Sequence, residues 1–205
     1  MTESLDLADL ADWRRQIAEM YARIRKASSP HDGWEDFKRA RDQLFKSHPQ
    51  SPLDEAARSQ FARLEYFGYS PAFRATAELV QCEAIQMQIG ASDGSTYHFT
   101  RFATAHFEAG GNQGSLDLYW LQSYAGGIFV PFRDATCGDS TYGGGRYLLD
   151  TPKGADLGMK GGKLVLDFNF AYHPSCSYDS RWSCPLAPPG NRLSFAVTAG
   201  ERLPS

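Results

Sequence analysis

The chain has 205 residues, with 24 acidic against 21 basic side chains and a formal net charge of -3. That length lets one domain bury a core without disulfide or metal staples. The near balance of charge leaves no basic field for a phosphate backbone, so nucleic acid is not an expected partner.

The N-terminal run MTESLDLADLADWRRQIAEM carries acids where a secretory signal would carry positive charge. No apolar run approaches the roughly 20 residues of a membrane span. The expectation is a soluble, cytoplasmic protein with no membrane partner. In such a compartment Cys82, Cys137, Cys176 and Cys184 read first as thiols, with metal ligation or catalysis left open.

From Leu5 to about Tyr66 apolar residues recur at helical spacing, as in Ile17, Tyr21 and Ile24, or Trp34, Phe37, Leu44 and Phe45. The run SSPHDG separates the first helix from the second. HPQSPLDEAARSQFARLEYF then restarts, with Ser51 as N-cap, Pro52 at the first helical position and acids in the first turn. The amphipathic first helix either docks on its own sheet or reaches out to a partner. Docking is the expectation, because most helical stability comes from burying an apolar face.

After Pro71 the period changes to two. TAELVQCEAIQMQI, TYHFTRFATAHFEA, SLDLYWLQSY, GIFVPFRD, RYLLD, KLVLDFNFAY and RLSFAVTA are short, aromatic or β-branched, and separated by Gly, Asp and Asn turns. GASDG and GGNQG read as hairpin loops. The fold class is therefore α+β: a helical segment over residues 1–70 packs on an antiparallel β domain over 71–205, a barrel or sandwich, as one structural unit.

If KLVLDFNFAY is a strand throughout, Leu164, Leu166, Phe168, Phe170 and Tyr172 line one face, while Val165, Asp167, Asn169 and Ala171 line the other. Asp167 and Asn169 then either cap loose backbone at a strand end or line a polar pocket. His173, Cys176 and Cys184 follow in the spacing H-x2-C-x7-C. This is part of a zinc set, with Cys137 or Asp167 as a further donor, but it lacks the paired C-x2-C of common structural sites. The same residues also suit a Cys176 nucleophile, with His173 lowering its pKa and Asp167 or Asn169 orienting the imidazole.

FRDATCGDSTYGGGRYLLD sets Arg133, Asp134, Tyr142 and Arg146 around three consecutive glycines. Glycines permit close backbone approach to a ligand, and Arg146 could pair with an anionic group on it. The run has neither a P-loop ending nor a dinucleotide-binding spacing. Its other reading is a tight connection whose arginine pairs with Asp167 or Asp134 in the core. His98 and His106, inside strand patterns, read as ordinary sheet residues.

The segments FVPFRDATCGDSTYGGGRYL, LDFNFAYHPSCSY, CPLAPPGNRL and TAGE resemble the DUF1684 family, a group of uncharacterised bacterial and archaeal proteins. The resemblance runs from about Trp13 to Glu201. It marks Asp134, Thr136, Tyr142, Gly143, Gly145 and Arg146 in the first motif, then Asp167, Asn169, Tyr172, Pro174, Cys176 and Tyr178, and finally Cys184, Pro185 and Asn191. It implies no activity. This chain departs from the family pattern at His173, where the family usually has Asn, and at Gly190, where it usually has Glu.

The functional expectation is an enzyme acting on a small polar molecule by hydrolytic or acyl-transfer chemistry. Its pocket would lie between the GGGRYL turn and the DFNFAYHPSC loop. His173, Asp167 and Cys176 are the catalytic candidates; Tyr142, Arg146, Asn169, Tyr172, Tyr178 and Asn191 are the substrate contacts. The alternatives are a non-catalytic module binding a small ligand or a protein, and a zinc-stabilised structural protein using His173, Cys176 and Cys184. No cofactor is expected beyond that zinc, and a homo-oligomer is left open.

Overall fold

The computed structural model describes residues 4–204; residues 1–3 of the acidic N-terminal run, and Ser205, lie outside the described residues. Three helices come first: α1 (Ser4–Ile24), α2 (Pro30–Ser47) and α3 (Glu55–Gln60). The run SSPHDG is itself the start of α2. Ser29 is the N-cap, its Oγ accepting the Asp32 N–H at 3.1 Å, and Pro30 occupies the first turn, where a missing N–H costs nothing.

The third helix starts later than the Ser51–Pro52 signal suggests. Ser51 is buried and its hydroxyl donates to the Phe45 carbonyl at 2.6 Å, finishing α2 instead of starting α3. Asp54 takes the capping role, its carboxylate accepting the Ala57 N–H at 2.7 Å. A charged cap at a positive helix end outcompetes a hydroxyl already engaged elsewhere. Helix also stops short of Tyr66, because the following backbone pairs with the C-terminal segment: Phe67 donates to the Gly200 carbonyl at 3.0 Å and Arg202 to that of Glu65 at 2.9 Å.

Seven strands follow: β1 (Arg74–Gly90), β2 (Thr96–Ala109), β3 (Asn112–Leu121), β4 (Ile128–Phe132), β5 (Arg146–Asp150), β6 (Met159–Lys160) and β7 (Lys163–Asp167). They form one antiparallel sheet in the order β5-β4-β3-β2-β1-β7-β6, curled into a half barrel. Register shifts between Gln81 and Ile85, between Arg101 and Ala103, and between Val130 and Pro131 break the ladders. Such bulges raise local twist and bend a strand, which is how a single sheet acquires curvature. They also accommodate Pro131, which has no N–H to give to a ladder.

Two segments expected as strand are something else. KLVLDFNFAY is a strand only as far as Asp167; Phe168–Phe170 form a 3-10 turn, and Tyr172 then makes an isolated bridge to Tyr147. RLSFAVTA makes one isolated bridge, Arg192 to Arg133, because carbonyls at Val197 and Ala199 are taken by the Arg146 guanidinium and not by a neighbouring strand.

The main core lies on the sheet, around Leu116, Leu118, Phe132, Leu148, Leu166 and Phe168. A second cluster joins the helices to it, with Met20, Tyr21, Trp34 and Phe37 packed on Ala155 and Phe170. Docking of the helices is fixed partly by Gly154. Its φ of +87° suits glycine, and a Cβ there would stand 2.9 Å from the Ala18 Cα, so α1 passes directly over the turn after β5. No helix among the described residues is long and apolar enough to cross a membrane.

Candidate functional site

The glycine-arginine turn builds core, not pocket. Gly145 has φ +99°, and a Cβ on it would lie 2.5 Å from the Phe132 carbonyl oxygen. That conformation delivers Arg146 to the centre of the protein, where it is fully enclosed. Its guanidinium donates to the carbonyls of Ala199, Val197 (2.8 Å) and Glu201 (3.2 Å) and to the Asp134 carboxylate (3.4 Å). Asp134 also accepts the Val197 N–H at 2.7 Å and the Thr136 hydroxyl at 2.9 Å. Arg146, expected as a substrate anchor, therefore holds the C-terminal segment. Its partner is Asp134, one of the two carboxylates named for the core-pairing alternative.

His173 is buried and set between two groups from distant parts of the chain. Its Nε2 accepts the Tyr142 N–H at 3.2 Å, and Nδ1 faces the Glu201 carboxylate at 3.6 Å. Glu201 additionally accepts the His173 N–H (3.0 Å) and the Arg41 guanidinium (2.6 Å), while Arg41 donates to the Tyr66 hydroxyl (3.0 Å). Burial, with Arg146 and Arg41 nearby, pushes the His173 pKa down to about 3, so the ring is neutral at ordinary pH. Burial pushes the Glu201 carboxyl up to about 7, against the pull of Arg41.

The imidazole's carboxylate partner is thus Glu201, not Asp167. Asp167 accepts from the backbone and side-chain amides of Asn169, at 3.1 and 2.8 Å, and pairs with Arg74 at 3.2 Å. Asn169 clamps Ser70 through both its N–H and its carbonyl, at 2.8 and 2.9 Å. Of the two readings open for this pair, backbone capping is what they do, although Asp167 also borders a surface cavity beside Arg25 and Arg74. Asn191 is a comparable clip. It accepts the Asp117 N–H at 2.8 Å and donates to the carbonyls of Asp117 and Pro131, tying β3 to β4.

The thiols meet each other and not the histidine. The Cys176 N–H points at the Cys184 sulfur at 3.4 Å, and the Tyr142 hydroxyl lies 3.9 Å from the Cys176 sulfur. Tyr142 joins the two neighbourhoods, reaching His173 with its backbone N–H and Cys176 with its phenol. A hydrogen bond from Cys184 holds the Cys176 thiol below its usual pKa and raises that of Cys184. Among the described residues no three His, Cys, Asp or Glu side chains are grouped to hold a metal ion, and His173 does not join Cys176 and Cys184 in a ligand set. Tyr178 packs on Phe45 with ring centroids 5.0 Å apart.

A partly open cavity of about 360 Å³ lies between the sheet, α1 and the loop at 182–185. Aromatic side chains of β2, β4 and β5 floor it: Phe99 stacks on Phe129 at 5.3 Å, and Phe129 meets Tyr147 edge-on at 4.7 Å. Tyr97 and Leu121 extend the floor; Leu10 and Trp13 of α1 and Trp182 of the loop form walls. The polar lining includes Arg14, Gln50, Ser123, Asp150, Lys153, Ser175 and Ser183. Asp150 holds the Lys153 ammonium at 3.2 Å and accepts the Tyr172 hydroxyl at 3.4 Å.

A smaller niche of about 60 Å³ shares Trp13, Tyr147, Asp150, Lys153 and Ser175 with the cavity and continues inward to Tyr21, Arg41, Tyr172 and His173. Tyr172, His173 and the zinc candidate Cys184 are the expected site residues that reach this space; Tyr142, Arg146, Asp167, Asn169, Cys176, Tyr178 and Asn191 line neither compartment. The loop wall is pinned to the β1–β2 turn: Ser92 donates to the Trp182 carbonyl at 3.1 Å and accepts the Cys184 N–H at 3.2 Å, and the Tyr147 hydroxyl donates to the Pro185 carbonyl.

Trp13, Tyr97, Phe99, Phe129, Tyr147, Asp150 and Lys153 carry no chemical motif and were not legible as a site. A partial signal exists in the alternation of TYHF and in the Asp150–Lys153 spacing just after RYLL. Glu201 sits in the TAGE segment, but nothing in the sequence joins it to Arg41.

Fold and cavity together define an α+β half-barrel protein with an aromatic-floored cavity. The chain belongs to the DUF1684 family, whose model, described as a protein of unknown function, matches residues 59–202. It is similar to the solution NMR structure of an uncharacterized protein from gene locus rrnAC0354 of Haloarcula marismortui. The TM-score is 0.61 at 35% sequence identity, with 84% of this chain and 94% of that one covered. No curated protein gives a significant match.

Proposed function

We propose that the chain binds a small molecule with a flat apolar body and an anionic or hydrogen-bond-accepting end. The observation that carries the reading is the 360 Å³ cavity, floored by Phe99, Phe129 and Tyr147 and edged by Lys153 and Arg14. Its size lies within the roughly 300–1,000 Å³ of small-ligand sites, and an apolar lining with few polar groups is their usual chemistry. Aromatic faces favour a planar partner. The buried indole N–H of Trp182 and the buried hydroxyl of Tyr21 have no acceptor or donor among the described residues, and both side chains line the space. Each gains from a ligand that supplies a partner.

What supports binding over proton transfer is the state of His173. Its Nε2 already accepts a backbone N–H, its Nδ1 faces a carboxylate, and burial holds the ring neutral. A general base needs a free acceptor and a pKa near the working pH.

Anilinonaphthalene sulfonate (ANS), a flat aromatic with one anionic group, is a probe of this chemistry. Fluorescence titration is expected to show stoichiometric binding, weakened by Lys153→Met and abolished by Leu121→Trp, which fills the cavity. Equal affinity in all three proteins would overturn the reading.

A further inference from the structure

The loop that walls the cavity brings two cysteines together, the Cys176 N–H lying 3.4 Å from the Cys184 sulfur. Cys176 is half-buried, whereas Cys184 is buried and lines the cavity. Around Cys176 stand the Cys184 thiol and the Tyr142 hydroxyl, 3.9 Å from its sulfur, both able to donate a hydrogen bond to a thiolate. The other two cysteines, Cys82 and Cys137, lie on β1 and in the turn after β4, away from this pair. Cys137 is engaged with the Asp134 N–H at 3.4 Å.

We propose that Cys176 is a peroxide-reactive thiol with Cys184 as its resolving partner, and that their disulfide fixes the loop wall and so regulates occupancy of the cavity. The regulatory part rests on the binding reading above; the thiol chemistry does not. In the first step the Cys176 thiolate attacks one oxygen of hydrogen peroxide. An S–O bond forms, the O–O bond breaks and hydroxide leaves, taking a proton to become water. Cys176 is then a sulfenic acid. In the second step the Cys184 sulfur attacks the Cys176 sulfur, the S–S bond forms, the S–O bond breaks and the thiol proton leaves with the hydroxyl as a second water. Two thiols and one peroxide thus give one disulfide and two waters. The low-pKa sulfur attacks and the adjacent one resolves, the order that the donors around Cys176 favour.

The closed ring spans Cys176 to Cys184 and contains Trp182 and Ser183, both cavity-lining. Linking the sulfurs restricts the rotamers of that wall, and a ligand that needs the wall to adjust then binds with a changed affinity.

The test begins with reduced full-length protein treated with hydrogen peroxide, alkylated and digested with trypsin. Cleavage after Arg181 separates the two cysteines, so the expected product is peptide Leu164–Arg181 joined to Trp182–Arg192, with Cys82 and Cys137 alkylated. In Cys184→Ser the sulfenic acid at Cys176 is expected to accumulate and be trapped by dimedone. In Cys176→Ser the Cys184 thiol is expected to stay unmodified. Oxidation of Cys82 or Cys137 while Cys176 remains free would overturn the proposal, and the wild-type map decides this even if a variant misfolds.

Occupancy is read separately by ANS titration of the reduced and the fully cross-linked protein. A change of about fivefold or more in dissociation constant is expected. An unchanged constant overturns the coupling to the cavity. Failure of ANS to bind the reduced protein overturns the binding reading, and the peptide map still stands or falls by itself.

Discussion

Nδ1 of His173 faces Oε1 of Glu201 at 3.6 Å, and the other oxygen of that carboxylate accepts the His173 backbone N–H at 3.0 Å. One glutamate near the C-terminus therefore fixes both the backbone and the ring of a residue 28 positions earlier. It does so while paired with Arg41 of α2, so helix, loop and C-terminal segment close on a single carboxylate.

The first prediction concerns proton uptake at this junction. The folded-state pKa of His173, about 3, lies below its ordinary value of 6.5. The stability it contributes is therefore fully present above about pH 6.5 and is lost as pH falls toward 3. Moving from pH 7.5 to pH 5 removes about 2 kcal/mol through this group, by the linkage relation. His173→Gln, whose amide oxygen can stand where Nε2 does, keeps an acceptor for the Tyr142 N–H and has no proton to take up. Urea unfolding of both proteins at the two pH values is expected to show the variant gaining about 2 kcal/mol on wild type at the lower pH.

A second prediction follows from the Arg41–Glu201 pair, both members of which are buried. Removing one partner leaves the other charge uncompensated, at a cost of roughly 3–5 kcal/mol. Glu201→Ala should lower the denaturation midpoint accordingly. Replacing Glu65 by Ala, an exposed-arginine partner at 3.2 Å from Arg63, should cost well under about 1 kcal/mol.

The third prediction separates scaffold from site. Gly145→Ala places a methyl against the Phe132 carbonyl in a conformation with φ +99°. The expected effect is a loss of about 1–3 kcal/mol by thermal or urea unfolding. At temperatures where the variant is folded, its affinity for ANS should match wild type, because Gly145 and Arg146 line neither compartment of the cavity.

Much of the architecture was legible from the period change at Pro71. β2 spans Thr96–Ala109 as its alternation indicates, and RYLLD is β5 without change. What failed were ends and termini governed by long-range partners. Ser51 looked like a helix start because nothing local shows that its hydroxyl goes to Phe45. RLSFAVTA looked like a strand because nothing local shows Arg146 taking its carbonyls.

The motif residues were legible as important, but their chemistry was not. Polar residues such as Asp134, Arg146, Asn169 and Asn191 are the same types whether they bind substrate or satisfy buried backbone, and here their bonds go to backbone and to one another. The cavity, in contrast, is assembled from ordinary aromatic positions on three strands, one helix and one loop, which only the curvature of the sheet brings together.

Proton–nitrogen correlation NMR spectra during an ANS titration test the central claim most directly. Binding in the half-barrel cavity predicts saturable shifts at the Trp13 and Trp182 indoles and at the amides of Phe99, Phe129, Tyr147 and Lys153, with the distant Val80–Ile85 stretch of β1 unmoved. Shifts confined to the exposed side chains of that stretch, or no saturable shifts at the indoles, would contradict it.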